Sequence, residues 1–198
     1  TIDVFSKDSN GDYIPHSKLQ DPDFARFGSS FDVSADGSVL VVGDGNRRNR
    51  IYNSTRAGIW RLINNNWFKL GENLTNENEG GAYKFGHSVS ISDDGSLVAV
   101  GAPSGQNFPW GDEGYVNLYE IDESGWNKID QLTGPGSHSN YGAANLYSDN
   151  DGFGSSVVLS GDASRRVLAV GAPLVGSQLA NHSYNDQRTG KVLIYENK

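Results

Sequence analysis

FGHSVSISDDGSLVAVGAP, residues 85–103, reads as two short strands joined by a tight turn. Phe85 to Ser92 alternates, with Val89 and Ile91 apolar between Ser88, Ser90 and Ser92. Such a period of two marks a strand with one buried face. Asp94-Gly95 is a preferred turn pair, because glycine accepts the positive φ that a tight hairpin needs. Leu97-Val98-Ala99-Val100 is a continuous apolar run, as in a strand covered on both faces. Gly101-Ala102-Pro103 ends it, since proline cannot donate to a ladder.

The stretch recurs. Residues 27–45 read FGSSFDVSADGSVLVVGDG, and residues 153–173 read FGSSVVLSGDASRRVLAVGAP. A signature repeated at a spacing of tens of residues implies an array or a propeller. Each copy is followed by a strand of the type GIWRLI (58–63), GYVNLY (114–119) or GKVLIY (190–195). After the first two copies comes a fourth strand with a Trp, at Trp67 to Leu70 and Trp126 to Leu132. This Trp is placed to cover the next unit. Residues 1–5 and 13–19 read as the last two strands of a preceding unit, joined around Asn10-Gly11. No stretch sustains a 3.6-residue apolar period, so almost no helix is predicted. The expected fold is all-β, a β-propeller of four-stranded antiparallel blades. The whole of 1–198 forms one such domain or part of one. It divides into a half blade at 1–20, blades at 27–75 and 85–133, and an incomplete blade at 153–196.

Phe85-Gly86, Ser88, Asp94-Gly95 and Gly101-Ala102-Pro103 resemble the FG-GAP repeat, the unit of the integrin α-subunit propeller and of many extracellular propellers. Two copies keep the GAP tripeptide, and the first has Gly43-Asp44-Gly45 instead. The resemblance implies a secreted or cell-surface protein engaged in adhesion or structural assembly. The family's calcium loop does not carry over. Calcium needs six to eight oxygens, and the turns Ser34 to Gly37 and Ser92 to Gly95 are too short to wrap an ion.

The formal net charge of −8 argues against nucleic acid, which calls for a basic surface. No apolar run approaches the length of a membrane-spanning helix. The chain has no Cys, which removes disulfides, thiol catalysis and thiolate zinc sites. Three sequons, at Asn53, Asn73 and Asn181, lie in predicted loops or strand ends and point to N-linked glycans on a secreted chain. Asp149, Asn150 and Asp151 form an acidic loop that the repeat does not explain, a candidate for calcium. Asp8 to Asp12 also alternates oxygen ligands, but it aligns with the hairpin turns of the other units. No other cofactor is expected.

Catalytic patterns are poor. Gly86-His87-Ser88-Val89-Ser90 lacks the last glycine and the helix of a nucleophile elbow. Gly43-Asp44-Gly45 lacks the last glycine and the helix of a dinucleotide loop. His16, His87, His138 and His182 are scattered and read as surface histidines. The sequence therefore predicts no enzyme. An alternative is a carbohydrate-binding, lectin-like or hydrolytic propeller, with Trp110 as the residue to stack on a sugar. About three and a half blades fall short of the roughly four to eight of a closed propeller. The missing blades are expected from a longer parent chain or from other protein chains, with partner surfaces at both ends.

Overall fold

A computed structural model describes residues 1–24, 26–45, 56–75, 84–103, 114–123, 125–134, 151–173 and 190–196. They are all-β, with no helix among them. Four antiparallel sheets follow one another along the chain.

The first is a hairpin of β1 (Ile2–Lys7) and β2 (Tyr13–Leu19). The Asp8 carboxylate closes its turn by accepting from the backbone N–H groups of Asn10 and Asp12, at 2.8 and 2.9 Å. The second sheet runs β3 (Ser30–Val33), β4 (Val39–Gly43), β5 (Arg56–Ile63) and β6 (Asn66–Lys69), and a two-residue strand β7 (Leu74–Thr75) also pairs with β5. Its fourth strand is thus split in two. The β5–β6 turn uses Asn64 and Asn65 at φ 48° and 62°, values asparagine tolerates better than most residues. The third sheet contains β8 (Ser88–Ile91), β9 (Leu97–Ala102), β10 (Tyr115–Ile121) and β11 (Trp126–Thr133) in chain order. The fourth has three strands, β12 (Ser156–Asp162), β13 (Arg165–Ala172) and β14 (Lys191–Glu196). No sheet closes on itself among the described residues.

The Phe-Gly pairs lie in the turn ahead of the first strand of each unit, where the sequence predicts strand from Phe85 onward. The cause is backbone conformation: Gly28, Gly86 and Gly154 stand at φ 88°, 78° and 86°, which ends an extended run. The turn drops Phe85 and Phe153 fully into the core.

Three apolar clusters lie between successive sheets. Ile2 and Val4 of the hairpin pack on Leu40, Val42 and Trp60 of the second sheet. Ala57 and Ile59 meet Val89, Ile91, Val98 and Val100 of the third. Val116, Leu118 and Leu132 meet Val157, Leu159, Leu168 and Val170 of the fourth. The Trp of the fourth strand does not cover the next unit as predicted. Trp126 packs into the cluster shared with the preceding sheet, and its indole Nε1 donates to the Glu72 carbonyl at 2.9 Å. Register decides this: Trp126 stands opposite Ile121, whose side chain faces the preceding sheet.

Candidate functional site

The chemistry that repeats lies between the first strands of the second, third and fourth sheets, β3, β8 and β12, which are spatial neighbours. Ser30 Oγ donates to the Gly86 carbonyl at 2.9 Å, and one unit later Ser88 Oγ donates to the Gly154 carbonyl at 2.7 Å. Two residues along, Asp32 Oδ2 accepts from the Ser90 hydroxyl at 2.7 Å and the Ile91 N–H at 3.0 Å. Ser90 Oγ in turn accepts from the Leu159 N–H at 3.0 Å. Alternation of side chains along a strand places both positions on the face turned to the next sheet. The glycine ending the second strand is required for the same reason. A Cβ on Gly43 would collide with the Gly86 carbonyl and the Ser30 hydroxyl, and one on Gly101 with the Gly154 carbonyl and the Ser88 hydroxyl.

The turn tips add a second layer. The Ala35 N–H donates to the Asp93 carbonyl, and the Asp93 N–H to the Gly161 carbonyl. Arg166 reaches back to Asp94 Oδ2 at 3.3 Å and to the Ser96 hydroxyl at 2.5 Å. Asp36, Asp94 and Asp162 each accept hydrogen bonds within their own turn. Asp36 accepts from the Ser34 and Ser38 hydroxyls and the Ser38 N–H, at 2.6–2.9 Å. These bonds hold Asp36 down to about 2. Burial works to raise Asp94, but bonds from Ser92 and Ser96 and the Arg166 charge override it and hold it far below the usual range. Bonds from Ser164 lower Asp162.

The fourth sheet departs from this pattern at one place. Ser156 and Val158 occupy the places of Ser30 and Asp32, opposite Gly171 and Ala169. On β14, Val192 stands opposite Gly171, as Val116 stands opposite Gly101 and Ala57 opposite Gly43. Ala57 and Val116 are fully buried, but Val192 is 69% exposed. Ile194 and Val158 beside it are 65% and 60% exposed. This apolar face is the candidate functional site. Only the sheet register shows that these exposed side chains share a face.

Of the residues singled out from sequence, Asn53, Trp110, Asp149, Asn150 and Asn181 lie outside the described residues. Asn73 precedes β7, half-buried, with Nδ2 donating to Asp23 Oδ2 at 3.3 Å. Asp151 is buried, and its Oδ1 accepts from the Phe153 N–H at 2.8 Å, a bond that shapes the Phe-Gly turn. No group of three or more His, Cys, Asp or Glu side chains able to hold a metal occurs among the described residues. His87 is half-buried, and burial, with the Lys84 charge, lowers its pKa. Asp44, which stands where the other copies have the Ala of GAP, is fully buried, with its N–H donating to the Arg56 carbonyl at 2.9 Å. No helix among the described residues is long and apolar enough to cross a membrane.

No family model and no curated protein matches the chain. Among solved structures it is similar to a mutant of prolyl oligopeptidase B from Galerina marginata, bound to a 35mer hydrolysis and macrocyclization substrate. The two are 14% identical with a TM-score of 0.34, and the match covers 92% of this chain and 20% of that one. The sequence reading of the chain as no enzyme is corrected here and given up, since the protein it is similar to is described with a substrate for hydrolysis. The likeness is too slight to carry that activity over. Missing motifs were poor ground for the exclusion, because catalytic groups are assembled by the fold from distant parts of a chain.

Proposed function

We propose that this chain is an arc of an FG-GAP-type β-propeller that serves protein–protein adhesion or structural assembly at the cell surface or outside the cell. The observation that carries the reading is the repeated sheet-to-sheet latch between β3, β8 and β12. Sheets of this kind are stable when both faces are covered, and a large exposed apolar patch marks an interaction site. The recurrence of Phe-Gly, Ser, Asp-Gly and Gly-Ala-Pro at matching places in successive sheets supports the FG-GAP assignment. The sequons at Asn53, Asn73 and Asn181 support an extracellular setting.

Secretory expression with mass measurement before and after deglycosylation, joined to small-angle X-ray scattering, tests the reading. The expected result is a mass loss on deglycosylation and a scattering profile of a curved arc. An unchanged mass together with the profile of a straight stack of sheets overturns it.

A further inference from the structure

We infer that a buried water molecule is bound between the second and third sheets, held by the Tyr115 hydroxyl and the Asn117 side-chain carbonyl against the break between β6 and β7. The site is internal to the chain and independent of how the array of sheets continues at either end.

Asn117 departs from the repeat. It stands opposite Val100, as Gly58 stands opposite Val42 and Leu193 opposite Val170. The three valines are fully buried. Leu193 packs on the apolar cluster between the third and fourth sheets. At Gly58 the Trp60 ring occupies the space a Cβ would take. The same place in the third sheet holds an amide that is only 2% exposed. A polar side chain with no counterpart in the other units needs a polar partner of its own.

Alternation along β10 puts Tyr115, Asn117 and Tyr119 on one face. Tyr115 and Tyr119 share an apolar cluster with Ala57, Ile59 and Leu74, so that face meets the second sheet. Asn117 Nδ2 donates to the Tyr119 hydroxyl at 3.1 Å. Asn117 Oδ1 and the Tyr115 hydroxyl are both buried, and neither has a hydrogen-bond partner among the described residues. Tyr115 is 5% exposed, and burial pushes its pKa up, so the phenol keeps its proton and stays a donor. One atom thus has a proton to give and the other has lone pairs to receive one. A buried polar group left unmatched is costly, and buried waters occur where they bridge such groups. A water at this place accepts from the Tyr115 hydroxyl and donates to Asn117 Oδ1.

The second sheet opens its outer edge across from this face. The Leu70 N–H donates to the Ile59 carbonyl, and Leu74 pairs with Ala57. Between those two pairs β5 has Gly58 alone, whereas the other side has Gly71, Glu72 and Asn73, which leave the ladder. The detour lies against the third sheet. The Glu72 carbonyl accepts from Trp126, whose ring meets Tyr119 edge-on, and Leu74 belongs to the cluster of Tyr115. Asn117 stands between Tyr115 and Tyr119 on the same face and is therefore turned to the detour.

Magnetic relaxation dispersion of solvent water on the full chain counts internal waters of long residence. The wild type is expected to hold one such water more than Asn117→Leu, which carries the residue β14 has at the matching place, and one more than Tyr115→Phe. Thermal unfolding checks that both variants fold. A count that stays the same in either folded variant overturns the proposal. A crystal structure of the wild type decides the matter even where a variant fails to fold. It is expected to show an ordered water within about 3.2 Å of both Tyr115 Oη and Asn117 Oδ1. A direct bond between those two atoms, or no water touching both, overturns the proposal.

Discussion

Ser90 does two jobs with one oxygen: it donates to Asp32 of the sheet before and accepts from Leu159 of the sheet after. Ser90→Ala leaves the Leu159 N–H unmatched and Asp32 Oδ2 with the Ile91 N–H as its remaining donor, so a loss of about 1–3 kcal/mol is expected by chemical denaturation. Ser164→Ala, at an exposed turn, is expected to cost less. The tip carboxylates set the acid limit. Asp36 titrates near 2 in the folded chain against 3.8 ordinarily, and Asp94 and Asp162 are lowered as well. Groups depressed on folding contribute stability above their unfolded pKa and lose it as pH falls through the folded value. The melting temperature is therefore expected to drop between about pH 4 and pH 2, and Asp36→Asn with Asp94→Asn to flatten that drop. Serine at the third place after each Phe, in Ser30, Ser88 and Ser156, was visible in the sequence as a repeat. Its donation to a glycine carbonyl one sheet away was not, because the acceptor belongs to the backbone and leaves no mark on composition.

Among the strands, the second of each unit carries the tightest steric limit. Gly101→Ala sets a methyl group against the Gly154 carbonyl of the next sheet. A cost of about 1–3 kcal/mol, typical of overpacking, is expected in urea unfolding. Leu74 on β7 is fully buried opposite Ala57. Leu74→Ala is expected to cost about 2–5 kcal/mol by the same measurement. Strand order and most strand positions were legible from the Asp-Gly turns and the apolar runs. The side to which Trp126 turns was not. A period of two tells which residues share a face, but which neighbour that face meets is settled only by the stacking of sheets.

Among the described residues the apolar clusters join sheets that are neighbours in the chain, the arrangement of a quasi-one-dimensional array. Hydrogen exchange is expected to be slowest in β9 and β10, which have a sheet on both sides, and fastest in β1, β2 and β14. Uniform protection across all four sheets would contradict nearest-neighbour coupling. That Val158 stands where Asp32 and Ser90 stand in the other units needed the register. The glycine carbonyls that receive Ser30 and Ser88 have a further consequence. A main-chain oxygen is the same in every copy of the unit, whatever side chains surround it. A duplicated unit spliced into the gene would find its acceptor waiting and offer one in return. Such a lineage can gain or lose whole units without re-evolving the joints between them.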